Sequence, residues 1–190
     1  MPVTLSTETL PPPCRFLVEY WERLRGARLL PHRAEIDPLD MVPILSRLHI
    51  FEVRAPGEIL FRLTGTDYVR LLGFEPTGKN LVTLTPAPLR RLRAWRTWIL
   101  SVQPCAAWYT HAIAFEAGRS EVAQSVMLPL APDRPGAPYQ LIAVTALADL
   151  DRRREGTTFG RALDFAFLDI GAGVPEGLEP PAEWSPMLPG

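Results

Sequence analysis

The residues best suited to metal or nucleophilic chemistry are scattered along this sequence. Its three histidines, His32, His49 and His111, fall on separate predicted elements, and none has a Cys, Asp or Glu companion at metal-ligand spacing. The two cysteines, Cys14 and Cys105, are too few for a disulfide framework and lack the partners of a zinc site. We therefore expect no metal centre and interpret both cysteines as buried or inert thiols.

Two polar side chains, Arg62 and His111, interrupt strands that are otherwise apolar. Arg62 could form a structural ion pair, for example with Asp37 or Asp67, or it could recognise an anion in a cavity. The sequence favours the ion pair. His111 alternates with aromatic and aliphatic residues, so we interpret it as a core or interface histidine rather than a ligand contact or a pH switch.

Acid–base catalysis would need an acid or a base in an apolar pocket. The candidates are Asp67, His111 and Glu116, and no two of them stand at an informative spacing. The sequence therefore predicts no catalytic residue. A small enzyme of the isomerase or dehydratase type is kept as an alternative.

Composition excludes several classes of protein. The chain has 190 residues, a formal net charge of -1 and 47% hydrophobic residues, which is typical of one globular domain without strong attraction for nucleic acid or an anionic membrane. The base-rich clusters at 90–93 and 152–154 are interpreted as solvated faces. No apolar run reaches about 18 residues, and the N-terminus lacks signal-peptide features. We expect no membrane span and a cytoplasmic protein.

Proline positions and hydrophobic periodicity divide the chain into three parts. Residues 1–13 are predicted to form an extended leader and residues 14–150 a folded domain that begins with a helix. Residues 151–190 are predicted to form an acidic tail rich in proline and glycine, of which 171–190 are expected to be poorly ordered.

Within the domain, short patterns predict helices and strands in a definite order. The predicted helices are 14–25, 37–47, 66–72 and 89–103, and the predicted strands are 49–54, 58–64, 108–116, 121–130 and 139–148. In the longest helix we expect a buried stripe and an outward face: Leu92, Trp95, Ile99 and Val102 inward, and Arg90, Arg93 and Thr97 outward. Helices between two groups of strands favour an α+β fold with an antiparallel sheet.

This order, together with local sequence, resembles the PAS family. The stretch 20–33, then Asp37-Pro38 and 43–45, resembles the opening of a bacterial family of short stand-alone PAS proteins, and the blocks 61–66 and 72–79 continue the match. The resemblance covers residues 14–150. It implies a five-stranded antiparallel sheet with helices on one face around a small cavity, an N-terminal helical extension, and a role in sensing or regulation. It implies no settled ligand and no catalytic residue.

The implied fold identifies candidate residues for the cavity. These are Arg62, Tyr68, Leu72, Trp95, Ile99, Tyr109, His111 and Ile113. A small apolar ligand would bind among them, although core packing alone would use the same residues.

Neither of two familiar cofactors is expected in this cavity. The segment that begins at Cys14 resembles the cysteine motif of flavin-binding light sensors of the PAS superfamily. It precedes the first two strands here, whereas in those sensors it follows them, so we expect no flavin adduct. Haem is not expected either, because no histidine lies on a cavity helix.

The last strands are apolar on both faces, so something must cover the second face. The helix that carries Leu17, Tyr20, Trp21 and Leu24 is the predicted cover, either in its own chain or in a partner, and we predict a homodimer through this surface. Because 190 residues leave no room for an output domain, we predict a stand-alone sensory module that acts on an unknown protein partner through contacts. A pure protein-binding scaffold with a filled core is a further alternative.

Overall fold

A computed structural model describes residues 9–115, 119–146 and 162–186, with the backbone alone for residues 113–115 and 119–121. The helices are α1 (Pro12–Arg25), α2 (Thr66–Leu72), α3 (Leu81–Leu84) and α4 (Ala87–Val102). The strands are β1 (Leu48–Ala55), β2 (Glu58–Thr64), β3 (Ala106–Phe115), β4 (Arg119–Leu130), β5 (Tyr139–Ala146) and β6 (Phe165–Leu168). No helix in these ranges is long and apolar enough to cross a membrane.

The strands form one antiparallel sheet in the order β2-β1-β5-β4-β3-β6. The predicted α+β class and antiparallel sheet are confirmed, but the predicted count of five strands is wrong. The sixth strand, β6, pairs with β3 from Ala106↔Leu168 to Tyr109↔Phe165. It lies in the segment 151–190 that was assigned to the tail, and it forms a strand because its four residues are all apolar and serve both faces of the sheet.

Helix α1 covers the outer face of the sheet within its own chain. Pro12 stands in its first turn, and Gly26, with φ 54°, ends it. Leu17, Tyr20 and Trp21 are buried in the outer core, and Trp21 Nε1 donates to the Pro129 carbonyl at 2.8 Å.

Of the two covers that the sequence left open, the structure shows the intramolecular one. Three of the four predicted interface side chains therefore lie in the core of the chain, while Leu24 is partly buried beside them. The homodimer stays a prediction.

Helices α2, α3 and α4 pack on the inner face of the sheet. The predicted orientation of α4 is right for Trp95, which is buried, and wrong for Val102 and Thr97, while Leu92 and Ile99 are partly buried. Ala94, Thr97 and Leu100 are buried, whereas Val102 is 55% exposed. The buried stripe therefore combines the large residues Trp95 and Leu100 with the small residues Ala94 and Thr97, and it does not follow hydrophobicity alone.

The helix predicted over 37–47 is also wrong. This segment forms successive turns and ends in a 3₁₀ turn, Leu45–Arg47. Asp37 accepts a bond from the Leu39 amide at 2.8 Å, and its own amide donates to the Tyr20 hydroxyl at 3.0 Å. Pro43 cannot donate a helical hydrogen bond, so turn chemistry prevails over helix.

Residues 169–186, here called the C-terminal segment, pack across α4. Arg91 donates to the carbonyls of Trp184 at 2.9 Å and Ala182 at 3.1 Å, and Arg96 donates to that of Leu178 at 2.9 Å. The rings of Trp98 and Trp184 lie 5.9 Å apart. The helix that covers the inner face is thus itself covered.

Candidate functional site

Seven polar and aromatic residues meet over the middle of the inner face, and we call them the central polar cluster. Their members are His49, Tyr68, Arg93, Tyr109, His111, Ser125 and Thr145. Strand alternation places five of them, since side chains two residues apart share a face, whereas Tyr68 lies on α2 and Arg93 on α4. One cross-strand row runs Thr145↔Ser125↔Tyr109, and the next begins His49↔Ala143. The central strands carry small side chains in the first row, whereas the second row continues from Ala143 to Met127 and Ala107, so that Met127 lies on the same face.

His49 is the most unusual member, because it is a polar side chain that is fully buried at 0% exposure. In the described part of the chain, neither Nδ1 nor Nε2 has a hydrogen-bond partner. The ring stacks on Tyr68 with centroids 4.3 Å apart and meets Phe51 edge-on at 5.3 Å. The Arg47 carbonyl lies near enough to oppose part of the shift in the pKa of His49, but outside hydrogen-bond geometry. Buried polar atoms normally have partners, so an orphaned imidazole indicates a missing one.

Tyr68 reaches His49 because of the way α2 begins. Gly65 precedes the helix, and its amide donates to the Leu48 carbonyl at 2.7 Å. A Cβ at this position would lie 2.5 Å from the Leu45 carbonyl oxygen, so only glycine fits. This close approach places the first turn of α2, and Tyr68 with it, over the start of β1.

Both inner histidines are held in their neutral form. Burial, helped by the field of His111, lowers the pKa of His49 to about 3. Burial, helped by the field of Arg93, lowers the pKa of His111 to about 4. His111 Nδ1 is buried, and no described residue hydrogen-bonds it. Two neutral imidazoles with unfilled valences therefore face the same region.

The hydroxyl groups of the cluster are also neutral and partly bonded to one another. Ser125 and Thr145, both buried, share a hydrogen bond of 2.9 Å. Burial raises the pKa of Tyr68 and of Tyr109, and a hydrogen bond with Ser125 opposes the shift at Tyr109. The tyrosines are thus phenols, able to donate and to accept.

Arg93 brings a positive charge to this region. It was predicted to face solvent, together with Thr97, but it lies one turn before Thr97 on the buried face of α4 and is half-buried. Its charge acts on the pKa values of Tyr68, Tyr109 and His111. The prediction failed because it assumed that an arginine on an amphipathic helix points outward.

The predicted cavity residues have different positions in the structure. Leu72 and Trp95 are buried in the inner core, with Ile99 partly buried against it. Tyr68, Tyr109 and His111 belong to the central polar cluster, and β3 carries Ile113, whose side chain lies outside the described residues. A role for these side chains in ligand binding stays a prediction.

Arg62 is not among the residues of the inner face. Its side chain is 51% exposed, and its Nε lies 3.3 Å from Glu52. The interpretation as an ion pair agrees with this contact, but the suggested partners Asp37 and Asp67 were wrong. The acid is on the neighbouring strand, because Glu52 and Arg62 are brought together by the pairing of β1 with β2.

The acids considered for catalysis lie away from the cluster or outside the described residues. Asp67 accepts from Ser46 Oγ at 2.7 Å and is 3.5 Å from both Arg47 and Arg70. Glu116 lies outside the described residues. Within them, no three Cys, His, Asp or Glu side chains are grouped as a metal site would require.

The two thiols are buried on opposite faces of the sheet. Cys14 lies in the outer core, across the sheet from His49, and Cys105 lies in the inner core. Burial raises the pKa of each thiol to about 12. Both are therefore protonated and weak nucleophiles.

Sequence reasoning did not single out His49, Arg93, Ser125 or Thr145. For His49 a signal was present, because it shares parity with Phe51 and so had to face the same side of β1. The view that the histidines are scattered failed since β1 and β3, although distant in sequence, lie in one sheet.

A separate cleft of about 330 Å³ lies near the turn between β4 and β5. Its charged lining residues are Arg33, Glu52, Asp133 and Arg134. Glu52 is already bonded by Arg54 at 2.6 Å. Because its charges are of both signs and partly paired, the cleft favours no class of ligand.

Comparison with known proteins agrees with this architecture. Residues 10–144 match the family model described as PAS domain. Among solved structures, the PAS domain of BvgS from Bordetella pertussis is similar at 14% identity and a TM-score of 0.43, over 60% of this chain and 88% of that one. The LOV domain of a fungal photoreceptor is similar at 18% identity and a TM-score of 0.37, over 53% of this chain and 72% of that one.

The light-state structure of the Aureochrome1 LOV domain is similar at 13% identity and a TM-score of 0.35, over 55% of this chain and 83% of that one. No curated protein matches the chain. The family model covers well over half of the sequence. The chain therefore belongs to the PAS domain family.

Proposed function

We propose that this protein is a sensory or regulatory module whose central polar cluster binds a small molecule, and that the bound state acts through protein contacts. PAS domains are in general sensory modules rather than enzymes. The observation that carries the proposal is the fully buried His49 ring with both nitrogens unpartnered among the described residues. A buried donor or acceptor without a hydrogen-bond partner lowers the stability of the fold by about 1–3 kcal/mol. A ligand that supplies both missing hydrogen bonds would explain why this protein carries His49 here.

Two neighbouring features support a ligand rather than a filled core. The central strands carry the small residues Ala143, Ser125 and Thr145, together with Met127, where the flanking strands carry rings. Polar groups there converge from both sides, with His49 on β1 and His111 on β3. A few convergent polar groups in apolar surroundings are typical of a small-molecule site.

Helix α4 offers a route from the cluster to the surface. It carries Arg93 over the inner face, while Arg91 and Arg96 on the same helix hold the C-terminal segment. Arg96 also lies 4.2 Å over the ring of Phe165 in β6. We propose that a ligand which engages Arg93 changes the position of α4. This movement would alter the hydrogen bonds from Arg91 and Arg96 to the C-terminal segment. A partner protein would bind to that segment and so respond to the ligand.

The test of binding is native mass spectrometry of the purified protein, with His49→Leu and His32→Leu compared. His32 is exposed and lies outside the cluster, which makes it a matched control. We expect a bound small molecule in the wild type and the control, and its loss in His49→Leu. Reproducible absence of any bound molecule across preparations would favour the scaffold with a filled core.

The test of the output route is amide hydrogen exchange of the C-terminal segment in the same three proteins. If ligand occupancy is transmitted through α4, the segment exchanges at a different rate in His49→Leu than in the wild type and His32→Leu. Identical exchange in all three would reject this route, while leaving the binding result unaffected.

A further inference from the structure

The C-terminal segment is bound to α4 largely through its main chain. Arg91 donates to the carbonyls of Pro181, Ala182 and Trp184. The Pro181 carbonyl also accepts from the Trp184 amide at 3.0 Å, so the three carbonyls belong to one tight turn. A guanidinium has several donors in a fixed fork, which suits it to such a group of acceptors. The hydrogen bonds from Arg91 therefore recognise the shape of the turn and not the side chains of Ala182 and its neighbours.

The side chain that anchors this turn is Trp184. Its ring lies 5.9 Å from that of Trp98, and both rings are partly buried against the inner core. Trp98 follows Arg91 by about two helical turns, so both project from the same side of α4. Glu179 adds a charged contact at 3.7 Å from Arg96. An aromatic surface with nearby donors is a common way to bind a peptide that contains proline.

The C-terminal segment lies on the surface of the protein and buries few of its own residues. Of residues 171–186, only Pro180 is buried, and the hydrogen bonds from α4 are exposed. Gly171 and Gly173, with φ 115° and 76°, stand where the chain leaves β6, and glycine permits a change of direction there. Parts of a protein with few buried contacts open at a small fraction of the global free energy of unfolding. Release of the segment from α4 therefore does not require the sheet to unfold.

We propose that the C-terminal segment of one chain docks on α4 of a second copy, an inference that rests on the output role proposed above and names the partner that binds this segment. Every copy carries both halves of the contact, an α4 surface with Arg91 and Trp98 and a turn with Trp184. Reciprocal exchange forms the same contacts twice and closes a symmetric dimer. Because the contacts within and between chains are the same, concentration decides which arrangement forms, and the exchanged one is favoured toward about millimolar protein.

The test places one defect in each of two full-length chains. Trp184→Ala keeps the α4 surface but loses the anchor, whereas Arg91→Gln keeps the segment but loses the donor to its main chain. A mixture of the two restores one complete contact between chains. We expect a fluorescently labelled Arg91→Gln chain to bind Trp184→Ala about tenfold more tightly than either variant binds itself, measured by fluorescence anisotropy, because loss of a tryptophan anchor commonly weakens an interface by this factor.

The matched control is a labelled Arg23→Gln chain, since Arg23 is exposed on α1 on the opposite face of the sheet. Its own segment stays on its own α4, so it should bind Trp184→Ala no more tightly than the labelled wild type does. Association in the mixture that is no tighter than self-association of the variants, or no association in any sample, overturns the proposal.

If Arg91→Gln does not fold, a peptide with the sequence of residues 178–186 decides instead. It is titrated into the full-length Trp184→Ala chain beside the same peptide with Trp184→Ala. About tenfold tighter binding of the tryptophan peptide supports the docking surface, and equal or absent binding of the two overturns it. Neither experiment depends on a molecule bound at the central polar cluster, so the inference can fail while native mass spectrometry still supports ligand binding.

Discussion

Acidification should destabilise this protein well above the pH at which its carboxylates are protonated, because of His49 and His111. Both have a folded-state pKa below the ordinary value of 6.5, at about 3 and about 4. A histidine buried in its neutral form contributes fully above the unfolded-state pKa, and the contribution is lost as the pH falls through 6.5 toward the folded-state value. The groups that face them are Tyr68 on α2, Arg93 on α4 and Tyr109 on β3. None of these carries a negative charge that would stabilise a protonated imidazole.

The magnitude follows from the two pKa differences. Between about pH 7.5 and about pH 5, each histidine lowers the free energy of unfolding by roughly 2 kcal/mol, or roughly 4 kcal/mol for the pair. This is a large share of the unfolding free energy of a typical domain, which is about 5–15 kcal/mol. Glu35 and Glu75, whose pKa values are lowered by hydrogen bonds, act only below their ordinary value of 4.5. Between pH 6.5 and about pH 5, the pH dependence of the free energy of unfolding therefore comes from the histidines and not from these carboxylates.

The assay is urea unfolding at several pH values for the wild type, His49→Leu and the control His32→Leu. His49→Leu should remove about half of the pH dependence in this interval. Near neutral pH it should also stabilise the ligand-free protein by about 1 kcal/mol or more, because two unsatisfied nitrogens disappear and only the stacking on Tyr68 is lost. An unchanged pH dependence in His49→Leu, or a clear loss of stability near neutral pH, would refute the view that His49 is buried, neutral and unsatisfied.

Other parts of the fold give three further predictions. Gly65→Ala should cost about 2 kcal/mol of unfolding free energy in urea melts, because its Cβ would overlap the carbonyl oxygen of Ser46, and a wild-type midpoint would contradict this. Trp21→Phe should cost about 1–3 kcal/mol, since the Pro129 carbonyl loses its donor, and a neutral effect would show that this bond is dispensable. Arg91→Gln should speed amide exchange in the C-terminal segment about tenfold without changing global stability, and equal rates would show that the bonds from Arg91 do not hold it.

Local patterns in this sequence were enough to identify most elements. The bounds of α2 and β2, Thr66–Leu72 and Glu58–Thr64, agree with their prediction because turn residues delimit each of them. The antiparallel α+β sheet followed from the order of the elements. Predictions failed where one signal masked another: Pro43 inside an expected helix, and the four apolar residues of β6 within a segment rich in proline and glycine.

The candidate site was predicted only in part. Tyr68, Tyr109 and His111 were recognised as inward residues because strand and helix periods indicate a buried face. The sequence interpretation grouped Arg62 with them. Strand alternation alone does not show whether a polar residue faces a cavity or pairs with an acid on the neighbouring strand. The structure instead pairs Arg62 with Glu52 at the surface.

The sequence by itself indicated the family and most of the elements, because these follow from local periodicity and from turn chemistry. Only the tertiary structure decided which polar residues meet. His49 and His111 are far apart along the chain, and they share a site because β5 and β4 lie between their strands in the sheet. Arg93 joins them because it lies one turn before the buried Thr97 on α4, a position that only the packing of the helix on the sheet sets. Partners that lie far apart in sequence leave no local pattern, so the chemistry of the inner face became visible only after folding.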